Sequence, residues 1–356
     1  MRLISLSPAR LCCLLWAALG LAGCGRSPDS NATSGQNVSA AAAPLIKIGF
    51  QLDWFPAPEH GGHFEALVKN YYRDAGLDVT IAPGGPSLHP VQEVATGRMQ
   101  FGIGRCDDVI LGVKEGLPLM IVAAQMQHDP QAIMVHKNSS VKSFQDLAGK
   151  SVMANPGSNW ITFVQHRYGI KFDILPMDFG MARFLADKNF IQQCFVSNEP
   201  FFAELNGIKT DVLLIADAGF DPYRVIFTSK AFAREHPEAV RAFVAATVHG
   251  WTEFLHGDAA GARARIQAEN PSESAALMDY SIAAMKRYML VEGDPAKGER
   301  TGLLKPARIT ALLQAMVDLQ LLDAALPLEN FVTFKFLPAE PASGQLSSSQ
   351  PPPKQQ

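Results

Sequence analysis

The chain has 356 residues, 47% hydrophobic and 18% charged, an ordinary globular balance that is long enough for more than one domain. A formal net charge of −3 excludes the strongly basic balance of a nucleic-acid-binding chain. There is no internal repeat, and neither a CxxC spacing nor a Cys/His cluster of the kind that holds structural zinc.

The N-terminus is read as a targeting segment. Arg2 and Arg10 accompany an apolar run, residues 11–22 (LCCLLWAALGLA), too short to span a bilayer but long enough for a signal-peptide core. It ends in Leu21-Ala22-Gly23-Cys24, which resembles a bacterial lipobox. Residues 1–23 are then removed and the diacylated Cys24 becomes the mature N-terminus; the alternative is a plain secretory signal cut after a small residue. Residues 24–44, rich in Ser, Asn, Gly and Ala, read as a disordered tether, and residues 339–356 as a disordered tail. Cys106 and Cys194 remain in the folded part, either as buried thiols or as a pair.

Residues 46–50 (IKIGF) alternate as a strand. A helix is predicted over 62–75, with Phe64, Leu67, Val68, Tyr71 and Tyr72 at helical spacing, and Gly76 ends it. A strand over 77–81, a Pro-Gly break at 83–86, a short helix over 91–96 and a buried strand over 101–104 follow. Asp107 and Asp108 then open a helix that runs to 115, and a strand covers 119–124. This alternation predicts a mainly parallel α/β sheet. A second unit has strands at 133–135, 150–153, 191–196, 211–216 and 225–228, a helix opening at Trp160 and another over 199–205. From Ala231 the chain is helical, over 237–255, 259–268, 272–289 and 306–321. Crossings near 125–134 and 223–229 are the candidate hinges.

Several stretches carry a resemblance: IKIGFQLDWFPAPEHGGHFEAL, PGGPS, GRMQFGIGRCDDVILGVKEGLPLMIVAA, SFQDLAGKSVMANPGSNW and FVSNEPFFAEL. Together they resemble the periplasmic substrate-binding proteins of ABC importers, in the subgroup related to the yeast thiamine-pyrimidine synthase. Within the D-W-x-P-x-x-x-H-x-G pattern stand Asp53, Trp54, Pro56, His60 and Gly62; Ala57 departs from the asparagine common there. The resemblance implies an α/β, two-lobed periplasmic-binding-protein fold (type II), with a hinge, an interlobe cleft and a helical C-terminal part. Lobe 1 would comprise residues 45–131 and 231–338, and lobe 2 residues 132–230. It also implies a monomer in the periplasm or cell envelope, partnered by the importer's permease and ATPase.

The candidate site residues each carry two readings. Trp54, directly after the first strand, stacks on a heteroaromatic ring or packs in the core. Asp53 accepts hydrogen bonds from a ligand or ties down its own turn. His60 bonds a ligand or stays solvated; with His63, three residues on, it shares a helical face as metal ligands would, but no third ligand is evident and no metal is expected. Asn155, Gly157, Ser158 and Trp160 open a helix whose free N–H groups suit an anion or a polarised oxygen, as in sulfonate and nitrate binders, or merely cap it. In Asn198-Glu199-Pro200 the Glu199 carboxylate can receive two hydrogen bonds from an aminopyrimidine edge, or only complement the helix start. Tyr223 lies at the second crossing, where it would fold over a ligand. Arg105 and Asp108 follow the third strand, as cleft residues or as a mutual pair.

These residues predict a solute-binding lipoprotein that captures a small heteroaromatic ligand, such as a thiamine pyrimidine precursor, in its cleft. Binders of sulfonate, nitrate or riboflavin-like compounds and a periplasmic sensor are the alternatives. An enzyme forming the pyrimidine from pyridoxal phosphate and histidine is the last alternative. The cysteine-rich motif of its eukaryotic members meets only residues 192–196 (QQCFV) here, with one cysteine, and no reactive lysine stands out. The chain is therefore expected to lack both enzymatic activity and a cofactor.

Overall fold

A computed structural model describes residues 44–337. Cys24, the signal segment, the tether and the tail lie outside the described residues.

Among the described residues, ten strands form two sheets. They are β1 (Ile46–Gln51), β2 (Leu77–Ala82), β3 (Phe101–Arg105), β4 (Leu119–Met126), β5 (Gln131–His136), β6 (Ser151–Ala154), β7 (Asp173–Pro176), β8 (Gln192–Phe195), β9 (Thr210–Leu214) and β10 (Arg224–Ser229). The first sheet runs β2-β1-β3-β10-β4 and the second β7-β6-β8-β5-β9. In both, the first strand after a crossing is inserted in reverse. β10 is antiparallel to β3 and β4, and β5 antiparallel to β8 and β9. The sheets are therefore mixed, because a strand arriving from the other lobe enters from the opposite end. This is the two-lobed α/β architecture. The strand at 224–229 belongs to the first sheet, so the second lobe ends before β10 and not at 230 as the sequence suggested. Burial explains the placement: Arg224 through Thr228 are all buried, as a central strand must be.

The late helices return to the first lobe. Helix Pro237–His256 packs on helix Gly61–Val68 through glycines on both sides. A Cβ on Gly61 would lie 2.2 Å from the Phe254 ring, and one on Gly250 would lie 2.1 Å from the Gly62 carbonyl oxygen. The single helix predicted over 62–75 is two helices. Asn70 adopts φ 61° and breaks it before Tyr71–Asp74. β7 and helix Ala182–Ala186 are among the elements that went unread, at four and five residues too short to display a period. Cys106 and Cys194 are both buried free thiols.

Candidate functional site

The loop after β1, the end of β3 and the start of β10 meet at the carboxyl edge of the first sheet, where α/β folds place ligands. Arg105 ends β3 and stands in register with Arg224, the first residue of β10. Two buried guanidinium groups side by side demand carboxylates. The Arg224 guanidinium donates to Asp53 and lies 3.8 Å from Asp129. Arg105 donates to Asp107 at 3.1 Å and to Asp108 at 3.0 Å. Burial brings Arg224 down to about 10, which still leaves it a cation at neutral pH. Burial raises Asp129 to about 7, against the pull of Arg105.

His60 is buried. Its Nδ1 accepts from the Ala57 backbone N–H at 3.2 Å, so its proton sits on Nε2, 3.2 Å from Asp53. Burial lowers its pKa to about 4 in spite of the charge on Glu59, which keeps the ring neutral. His60 thus locks the loop and aims Asp53. His63 turns away into the core, with its Nδ1 3.3 Å from the Tyr72 hydroxyl, so the two rings do not converge on a common point.

At the cleft mouth, the Trp54 ring lies 5.1 Å from Phe179 of the second lobe and 5.5 Å from Phe55. Phe55 and Phe179 are 47% and 55% exposed, unusual for large aromatic rings. Phe179 also holds φ at 58°, a strained value for a bulky residue.

Deeper in, the Ser197 hydroxyl donates across the cleft to the Glu59 carboxylate. Glu199 opens helix Glu199–Leu205 and accepts the Phe195 N–H at 2.7 Å. Burial, with the charge of Glu59 added, pushes its carboxyl up to about 7. Glu273 is buried as well. Burial and then Glu59 carry it to about 8, and its Oε2 has no partner. Asn198 is the residue before this helix, partly buried between Ser197 and Glu199.

Other sequence candidates fall elsewhere. Trp160 is wholly buried in the second lobe, stacked 6.3 Å from Phe172, and is a core residue. Asn155 gives its N–H to Gln193 at 3.1 Å, and Gly157 is exposed at φ 82°. Ser158 is buried without a capping bond from its hydroxyl. The next residue, Asn159, which the sequence did not single out, donates to Asp107 of the first lobe at 2.7 Å. Tyr223 is buried at the hinge. Its hydroxyl accepts the Lys305 N–H at 3.2 Å, and the Arg308 guanidinium lies 4.0 Å from its ring centroid. Asp108 is half exposed and paired with Arg105.

Sequence reasoning missed Glu59, Asp107, Asp129, Asn159, Phe179, Arg224 and Glu273. Glu59 lies inside the loop already singled out, and Arg224 directly follows the noted Tyr223. Glu273 and Phe179 carry no local signal.

Two mixed sheets joined by two crossings, with an aromatic-mouthed polar cleft between them, define a periplasmic-binding-protein fold. The alkanesulfonate-binding protein SsuA from Xanthomonas axonopodis pv. citri bound to MOPS superposes with a TM-score of 0.59 at 16% identity, covering 83% of this chain and 100% of that one. The chain belongs to the NMT1/THI5 like family, which it matches over residues 57–260.

Among relatives, the riboflavin-binding protein RibY of Chloroflexus aurantiacus is 25% identical over 232 residues, 61% of this chain and 66% of RibY. The formylaminopyrimidine-binding protein of Halalkalibacterium halodurans is 29% identical over 117 residues, 33% of this chain and 35% of that protein. The expectation that the chain lacks enzymatic activity is corrected by a third kind of relative. The 4-amino-5-hydroxymethyl-2-methylpyrimidine phosphate synthase THI11 of Saccharomyces cerevisiae is 28% identical over 141 residues, 38% of this chain and 40% of that protein. Proteins named as enzymes and proteins named as binders are thus both similar to this chain.

Proposed function

We propose that the protein is a solute-binding component of an ABC importer that holds a small heteroaromatic ligand in its interlobe cleft. The observation that carries this reading is the Trp54–Phe179 pair, one ring from each lobe, at the mouth of a polar cleft. The two rings are tilted by 40° to one another; parting by a few ångströms and turning parallel, they would admit a flat ligand, and each would then contribute stacking. Below them, Asp53 and Glu199 offer acceptors for ring amino groups, and Arg105 and Arg224 hold the floor in place. The relatives named for binding riboflavin and a formylaminopyrimidine support a ligand of this class. An acylated Cys24 would tether the protein to a bacterial membrane, with permease and ATPase as partners.

The test is a thermal-shift and calorimetry panel of 4-amino-5-hydroxymethyl-2-methylpyrimidine, formylaminopyrimidine, riboflavin, an alkanesulfonate and nitrate. A heteroaromatic compound should raise the midpoint by mass action. Trp54→Ala and Phe179→Ala should each weaken its binding by about tenfold, the loss of one stacked ring. A response to the anions alone would overturn the reading.

A further inference from the structure

We propose that His128 is a protonation-controlled clasp of the hinge, which holds the lobes closed while its imidazole is charged. The two crossings run side by side, residues 127–130 out of the first sheet and residues 219–223 back toward it. His128 of the first crossing bonds Asp221 of the second through Nδ1 at 2.7 Å. Its other nitrogen, Nε2, lies 3.0 Å from the Glu299 carboxylate, contributed by the C-terminal part of the first lobe. Ionised carboxylates only accept, and a neutral imidazole has a single N–H to give. Both bonds together therefore require the imidazolium.

The surroundings are built around that charge. Arg308, from helix Pro306–Asp318, donates to the Asp221 carboxylate at 2.8 Å and to its carbonyl at 3.0 Å, and also reaches the Gln127 carbonyl. Its other nitrogen lies 3.6 Å from Glu299. Asp221 also accepts the Asp129 N–H at 3.0 Å, while the Asp129 carboxylate turns toward Arg224. Glu299 is steadied by the Asp294 N–H at 2.9 Å. Tyr223 lies under Arg308 and adds no charge at neutral pH. Arg300 follows Glu299, and its carbonyl accepts a hydrogen bond from the Gln127 side-chain amide at 2.8 Å. Two cations thus face two anions, tying both crossings to the C-terminal helices. Loss of the His128 proton takes the ring's bond away from one of the two carboxylates and removes one positive charge from between them.

The direction with pH follows. Burial opposes the charged ring, but the bond to Asp221 and the charges of Asp221 and Glu299 outweigh it and raise the His128 pKa. A group whose pKa is raised in the closed form stabilises that form fully below its ordinary value of about 6.5. The contribution is lost as pH rises through the raised value. Asp129, Glu199 and Glu273 titrate in the same region, so the test must separate His128 from them.

Small-angle scattering of the ligand-free protein between pH 5.5 and 9 reads the closure directly, and the His128 ring resonance reads its protonation. This needs no ligand, so it stands apart from the heteroaromatic reading. The wild type should expand as pH rises, with the same midpoint as the ring resonance. His128→Arg, charged throughout and forked to reach both carboxylates, should stay compact to pH 9. His128→Gln should show no step. A radius that is flat across this range in the wild type, or a step that persists in His128→Arg, would overturn the proposal.

Discussion

At the scale of single residues, the cleft is distinguished by polar groups that the fold leaves under-satisfied. Glu273 has one carboxylate oxygen buried without a partner and a pKa carried to about 8 by burial and then by Glu59. A carboxyl with a raised native pKa binds more protons folded than unfolded, so it lowers stability as pH rises above its unfolded value of about 4.3. The loss is complete above pH 8. Glu273→Gln keeps the shape and removes the charge. We expect its thermal midpoint to exceed that of the wild type by a few degrees at pH 9 and to match it at pH 4, as read by calorimetry. An equal midpoint at both pH values would mean that Glu273 is solvated when ionised.

Which residues could be read in advance follows from how local their roles are. Asp53 and Trp54 were legible because they directly follow an alternating strand, which places them at a sheet edge whatever the rest of the chain does. Trp160 was misleading for the same reason in reverse. It begins a helix after a glycine-containing turn, but the side chain points into the second lobe's core, and its neighbour Asn159 faces the cleft. Nothing local separates one position on a helix start from the next. Arg224 was overlooked because β10 reads as part of the second lobe until its pairing with β3 is known. Glu273 reaches the cleft only because the C-terminal helices fold back onto the first lobe.

At the scale of elements, the position of the site depends on how closely helix Gly61–Val68 lies on helix Pro237–His256. The first of these helices carries the loop of Asp53, Trp54, Glu59 and His60 on its N-terminal side. Gly250 lets the two backbones touch, for a Cβ there would lie 2.1 Å from the Gly62 carbonyl oxygen, a rigid partner with no room to yield. Gly250→Ala should therefore cost about 1–3 kcal/mol in urea unfolding, in the range of other overpacked sites. It should also weaken ligand binding by displacing the loop. Gly76→Ala is a useful contrast. A Cβ there meets nothing, but its φ of 82° makes the change one of backbone strain, felt in stability and not in binding.

At the scale of the whole molecule, the described residues form a clamp in its closed arrangement, held by a few bonds between the lobes. Ser197 donates to Glu59, the Ser281 hydroxyl donates to the Ser197 carbonyl at 2.6 Å, and Asn159 donates to Asp107 at 2.7 Å. Of these, the last is the most exposed to test. Asp107 is fully buried, its Oδ1 has no partner, and burial raises its pKa in spite of Arg105. Asn159→Ala takes away its second-lobe donor while leaving each lobe's own packing in place. The open form, where water reaches Asp107, gains relative to the closed one. A ligand that is bound first by the open form and then enclosed is held in a less stable closed complex, and its apparent affinity falls in proportion. The lost bond to a charged group corresponds to about 1.5–3 kcal/mol, so about tenfold or more in affinity. Most of it should appear as faster dissociation, because closure follows encounter and the encounter surface is unchanged. Stopped-flow kinetics with whichever panel compound binds would show this. A slower association at unchanged dissociation would instead place Asn159 on the path of entry and not in the closure.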